Sequence, residues 1–217
     1  MTPHARRRRA RHAAEHRHYV RRILERYDAA DDATRAAGAA WYDGARLEAE
    51  RIAALAPAGV GPVRAAGVIA ALSPRTRWAE NLQAAEESAG AAARVAGAER
   101  ALWGPLAIEG AVFGATGWYG LDDPRRKAAA ILEGRAPLDV LGGPKVRAFF
   151  RNICGDRRAV TIDVWAARAA AGRWHNSISP YLYRRLERAY VDAADRRGVD
   201  PRALQAAVWI DIRGGAA

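Results

Sequence analysis

Asp163 stands where the apolar run Ala159-Val160-Thr161-Ile162 gives way to a helical pattern opening Val164-Trp165. A carboxylate at a helix start keeps its ionised form, because the free N–H groups of the first turn carry partial positive charge. Such a group can stabilise developing positive charge on a substrate, or orient and deprotonate an attacking water. The same residue type is also an ordinary N-cap, and the residues alone leave both roles open. Lys145 lies 18 residues earlier. Of 35 basic residues only Lys127 and Lys145 are lysine, the other 33 being arginine. Arginine keeps its proton near neutral pH, whereas a desolvated lysine can lose it and attack as a free amine. Lys145 therefore has three readings: an amine nucleophile, a cation on a phosphate, or a solvated lysine at a helix start.

A tight hairpin presents Lys145. The pattern predicts a short helix at Pro137 to Leu141, a Gly142-Gly143-Pro144 turn, and a helix from Lys145 to about Ile153. Two glycines remove the Cβ atoms that would block close approach, so backbone N–H groups at the second helix start can face a phosphate. Gly142, Gly143, Lys145, Arg147 and Lys127 are the candidate DNA contacts of this hairpin.

Charge points the same way. A net charge of +11 and a pI near 10.7 favour a polyanion, since each phosphate neutralised releases condensed counterions. Double-stranded DNA is the expected partner, although an arginine- and alanine-rich composition also follows from compositional bias alone. The one cysteine, Cys154, excludes an internal disulfide and any multi-cysteine zinc or iron–sulfur site. Four of the five histidines (His4, His12, His16, His18) sit in the arginine-rich leader, so no metal and no cofactor are expected. No apolar stretch reaches the ~18 residues of a membrane span, and the leader lacks the apolar core of a secretory signal, so the expectation is a cytoplasmic protein without a membrane partner.

The surrounding elements read as helices. Residues 1–14, with Arg6 to Arg9 in one block, are expected as a disordered basic arm. Tyr19, Ile23, Leu24 and Tyr27 mark one amphipathic helix, and Trp41, Leu47, Ile52 and Leu55 a second. A break at Gly59-Val60-Gly61-Pro62 precedes an apolar helix, Val63 to Leu72, which ends at Ser73-Pro74. That pair reads as a cap with an N1 proline, as do Asp123-Pro124, Ser179-Pro180 and Asp200-Pro201; glycine stops follow at Gly134, Gly198 and Gly214. Ala84 to Ala98 reads as a helix weakened at Gly90, and Leu204, Val208 and Ile212 mark a last helix expected to pack on the N-terminal ones. The one strand-like piece, 159–165, is too short to build a sheet, so the fold class is all-α.

In this order, Leu141-Gly142-Gly143-Pro144-Lys145-Val146, Phe149-Phe150-Arg151-Asn152-Ile153 and Ala159 to Trp165 resemble the helix-hairpin-helix DNA glycosylases, the superfamily of endonuclease III, the adenine-mismatch glycosylases and 8-oxoguanine glycosylase. Ile69-Ala70-Ala71-Leu72-Ser73-Pro74-Arg75-Thr76 resembles the helix end that wedges DNA in that family. Gly117-Trp118-Tyr119-Gly120 with Lys127-Ala128-Ala129-Ala130-Ile131-Leu132 resembles the helix before the hairpin. The likeness covers about residues 65–170. It departs where the family's Leu-x-Gly-x-Gly is compacted to Leu141-Gly142-Gly143-Pro144, where Arg75 takes a position often held by glutamine, and where no cysteine cluster follows the aspartate.

The resemblance implies a single domain, 15–217, of two apposed helical subdomains with the active cleft between them. One would be a central subdomain over about 60–157 carrying the hairpin 137–153; the other would combine 15–59 with 158–217. It implies a monomeric enzyme that flips a base from the duplex, with Asp163 beside C1′ and Lys145 at a separation close to that of the lysine in bifunctional members. Trp78, Trp118 and Trp165 are the expected base-pocket walls, and Arg75, Arg77 and Asn81 the residues that probe the DNA. The compacted hairpin resembles the phage and anti-phage members, which suggests a bulky viral base, such as glucosylated hydroxymethylcytosine, as the one excised. A DNA-hypermodification enzyme on the same fold, and a non-catalytic DNA-binding module, are the alternatives.

Overall fold

The computed structural model describes residues 2–96 and 105–214. Among them are eleven α-helices and no strand, as an all-α chain requires. In chain order they are α1 (Pro3–Ala29), α2 (Asp32–Leu55), α3 (Pro62–Leu72), α4 (Trp78–Val95), α5 (Pro105–Ala115) and α6 (Asp122–Leu132). The series continues with α7 (Pro137–Val140), α8 (Pro144–Ile153), α9 (Val164–Ala171), α10 (Pro180–Arg197) and α11 (Pro201–Arg213). The end of the helix expected over Ala84 to Ala98 lies outside the described residues. Two compact units divide the chain: 1–42 with 156–217, and 43–155. The first division falls inside α2.

In the first unit, α1 packs against α9, α10 and α11. Its buried residues Tyr19, Val20 and Ile23 meet a core that includes Tyr183, Leu186, Tyr190, Leu204 and Val208. Residues 3–14, expected as a disordered arm, are helical. Thr2 Oγ1 accepts the Ala5 N–H at 3.3 Å, and Pro3 sits in the first turn, where its missing donor costs nothing. Further along, His16 pairs with Asp192 at 2.7 Å, and Arg185 donates to Glu15 at 2.8 Å. The last helix, α11, does pack on α1, with Leu204 and Val208 buried and Ile212 only half-buried.

The second unit is built around α3, whose residues 65–72 are all buried and which packs on α4, α6 and α8. A helix apolar on every side belongs in the middle of a helical layer. Small side chains set the distances: Gly67 of α3 is so close to Pro137 that a Cβ there would lie 2.8 Å from the proline ring.

Two local expectations change. Ser73 does not start the next helix; its hydroxyl donates back to the Ala70 carbonyl at 2.9 Å and closes α3. Helix α4 opens five residues later, at Trp78, where Glu80 accepts the Arg77 N–H at 3.1 Å. In α2, Leu47 and Leu55 are exposed, at 59% and 44%, and the buried stripe is Tyr42, Ala45, Ala49 and Ile52. Alanine carries the packing face there because a small side chain lets the neighbouring backbone come close. No helix among the described residues is long and apolar enough to cross a membrane.

Candidate functional site

Asp163 is positioned by an extended segment that has no strand partner. Ala159, Val160, Thr161 and Ile162 are buried, so their backbone polar groups need partners from elsewhere. Tyr183 supplies them: its hydroxyl donates to the Val160 carbonyl at 2.7 Å and accepts the Ile162 N–H at 3.3 Å. The segment then delivers Asp163 to the start of α9, where Oδ1 accepts the Ala166 N–H at 2.8 Å.

The second carboxylate oxygen has a distant partner. The indole N–H of Trp209, on α11, donates to Oδ2 at 2.9 Å. Trp41 meets Trp209 edge-to-face at 6.1 Å, and the Arg213 guanidinium lies 4.5 Å from the Trp209 ring centre. Two buried tyrosines complete the surroundings. Tyr42 donates to Gln205 Oε1 at 2.9 Å and Tyr190 to the Ala166 carbonyl at 2.9 Å. Burial pushes both phenols far above the ordinary tyrosine value, and the charge of Asp163 pushes them further, so both stay neutral donors. Among the described residues no cation forms an ion pair with Asp163. A carboxylate fixed by two neutral donors, with no salt-bridge partner among the described residues, has spare lone pairs for water or a developing cation.

Sequence reasoning missed Trp209. The contact spans 46 residues, and no local spacing signals a pair that far apart.

In the second unit α7 is followed by Leu141, Gly142 and Gly143, and α8 begins at Pro144. Gly143 takes φ 71 and ψ 147, a conformation closed to side chains, and both glycines are exposed. Lys127 reaches this turn from α6: a Cβ on Gly142 would lie 3.7 Å from its Nζ, which pairs with Asp123 at 2.5 Å. Lys145, half-buried, occupies the first turn of α8 and is itself engaged by a neighbour. Both lysines of the chain thus flank the glycine turn. Arg147 is turned inward on the hairpin, donating to the Leu138 carbonyl at 2.9 Å and the Leu141 carbonyl at 3.0 Å.

The loop between α3 and α4 holds the expected DNA-probing residues. Tyr119 fixes it, its hydroxyl donating to the Leu72 carbonyl at 2.6 Å and the Pro74 carbonyl at 3.1 Å. Arg75 sits at its tip with φ 64, the one non-glycine residue with positive φ among those described. Arg75 and Arg77 are exposed, and among the described residues neither guanidinium has a hydrogen bond or ion pair. Asn81 does not belong with them. It is 2% exposed, because with Ala84, Ala85 and Ser88 it forms the inward side of α4, and its Oδ1 has no partner.

The three expected pocket tryptophans have separate settings. Trp78 meets Phe149 edge-on at 6.4 Å, and Trp118, 48% exposed, donates to Glu87 at 2.8 Å, both in the second unit. Trp165 belongs to the first unit, two residues beyond Asp163, and packs edge-on against Trp174 at 5.2 Å. Arg168 lies over both of those rings, at 5.7 and 5.6 Å. No cluster of histidine, cysteine or acidic residues among those described is arranged to hold a metal ion.

No curated protein and no solved structure matches this chain. Residues 5–216 match a family of unknown function, DUF7178, and the chain belongs to that family.

Proposed function

We propose that this chain is a DNA N-glycosylase that extrudes a damaged or modified base and hydrolyses its bond to the sugar. The observation that carries this reading is the Asp163 carboxylate, held by Ala166 and Trp209 with no cation paired to it. As the bond between C1′ and the base nitrogen breaks, the sugar gains oxocarbenium character and the base leaves with the electron pair. A fixed, unneutralised carboxylate stabilises that charge and takes a proton from the water that adds at C1′. The exposed Gly142-Gly143 turn, flanked by Lys127 and Lys145, suits a backbone phosphate, and Arg75 suits the space left by a flipped base. A bulky phage base is the substrate class suggested by the compacted hairpin.

One observation favours a non-catalytic DNA clamp instead: both oxygens of Asp163 already make structural hydrogen bonds. Incubation with normal, damaged and phage-modified duplexes, read by mass spectrometry for free base and by gel for alkali-labile sites, separates the two. The glycosylase reading expects base release that Asp163→Asn abolishes while duplex binding persists. Binding with no base released from any substrate supports the clamp. Strand breaks without alkali, and a borohydride-trapped adduct lost in Lys145→Gln, identify the lysine as an amine nucleophile.

A further inference from the structure

The arginine-rich start of the chain is a helix, and a helix sorts its side chains by face. At about 100° per residue, Glu15, His16, Tyr19 and Ile23 of α1 fall on the side turned to the rest of the first unit. Arg6, Arg7, Arg17 and Arg21 fall on the opposite side, Arg11 lies on its flank one turn before Glu15, and all five are exposed. Arg21 pairs with Glu25 at 3.4 Å; among the described residues no ion pair holds Arg6, Arg7, Arg11 or Arg17. The stripe from residue 6 to 21 is about 22 Å long. The one acid between its ends, Glu15, is engaged by Tyr19 and Arg185.

We infer that this face of α1 is a duplex-binding surface that contacts the phosphate backbone without reading sequence. The inference rests on the reading that DNA is the substrate, and adds a contact element outside the hairpin and the Arg75 loop. Charge complementarity identifies the occupant. A duplex places about one negative charge per 1.7 Å of its length, so a band of exposed guanidinium groups finds phosphates along its extent. Because the cations are fixed on a formed helix, binding does not first have to order a flexible arm.

The test uses the full chain carrying Asp163→Asn, so that it reads binding alone, on an unmodified duplex over a series of salt concentrations. Replacing Arg6, Arg7, Arg11 and Arg17 together by glutamine removes four positive charges. The expected result is a loss of about three to four units from the slope of log Kd against log salt, with affinity at least ~10-fold weaker at moderate salt. Circular dichroism should show α1 still helical. The comparison is a second variant losing the same charge at exposed Arg94, Arg135, Arg184 and Arg188. Equal slopes in the two variants would mean that net charge alone matters and would overturn the proposal. So would an unchanged slope in the first variant, or a preference of the parent chain for anionic phospholipid vesicles over duplex that the α1 substitutions remove. Base release by the chain with Asp163 intact is scored separately, so failure of this surface and failure of the glycosylase reading are distinct results.

Discussion

The Trp209 indole donates to Asp163 Oδ2 at 2.9 Å, joining the last helix to a carboxylate 46 residues earlier. An N-cap needs one oxygen, and Ala166 supplies that contact to Oδ1. The indole fixes the other oxygen, and with it the rotation of the carboxylate plane. Indole is a neutral donor, so it orients the group without cancelling its charge.

Replacing Trp209 by phenylalanine keeps an aromatic ring beside Trp41 and removes the N–H. A hydrogen bond to a charged group contributes roughly 1.5–3 kcal/mol, so on the proposed glycosylase reading base release at saturating duplex should fall about 10- to 100-fold. Duplex affinity should hold, because Trp209 is remote in role from phosphate contacts. Single-turnover rates beside anisotropy binding curves make the comparison. An unchanged rate would show that the indole contributes packing alone.

The glycine turn and the helix that follows it were legible because their signals are local: two glycines, a proline at a helix start and an amphipathic run to Ile153 lie within a dozen residues. The start of α10 was equally plain, with Ser179 Oγ accepting the Leu182 N–H at 3.2 Å. Signals shared between two roles misled. Ser73-Pro74 spells a helix start, yet the serine closes α3 because Tyr119 and Thr76 also bond the carbonyls at that end. Large apolar residues misled in α2, where alanines make the packing face. Asp163 was legible by its place before a helix, but its partner on α11 was not, since a tertiary contact leaves no spacing in the sequence.

Gly38 and Gly44 lie in one helix, α2, and should respond in opposite directions to alanine. A Cβ on Gly38 would lie 2.4 Å from the Ala207 backbone nitrogen and 2.6 Å from its Cα, so α2 and α11 would be forced apart. Such overpacking costs roughly 1–3 kcal/mol. Around Gly44 nothing lies within 4 Å, and there alanine should stabilise by roughly 0.5–1 kcal/mol through the lower entropy of the unfolded chain. Thermal melts of the two single variants, Tm down for the first and up for the second, check both signs.

Tyr119 makes the loop that carries Arg75 sensitive to alkali. Burial pushes its phenol from the ordinary 10.0 up to about 12, because the folded chain favours the neutral hydroxyl that donates to Leu72 and Pro74. A raised value contributes stability that is complete below pH 10 and is lost as the pH rises through about 12. Tyr19, also raised to about 12 by burial and by its hydrogen bond to Glu15, acts in the same window. Tm should therefore decline across that range, and Tyr119→Phe should start from a lower Tm at neutral pH but lose less of it in alkali. Parallel declines in the two proteins would exclude Tyr119 as a source of the effect.

Arg75 is held with φ 64, a conformation that costs a side chain roughly 1–2 kcal/mol and costs glycine almost nothing. Strain of this kind persists only where the surroundings impose it, and here Tyr119 and Thr76 tie the loop on both sides of the arginine. Arg75→Gly should therefore raise Tm, by an amount corresponding to roughly 1 kcal/mol less the added entropy of the unfolded glycine. If the exposed guanidinium is there to enter the duplex, the same variant should release base more slowly from a fully paired substrate. It should act nearly normally on one whose target base is mismatched, where extrusion needs less help. Arg75→Asn, which tolerates the left-handed conformation but carries no charge, separates the two effects: the stability gain should be smaller and the loss on paired duplex the same. A glycine variant that is more stable and equally fast on both duplexes would leave the strain at Arg75 without a part in base extrusion.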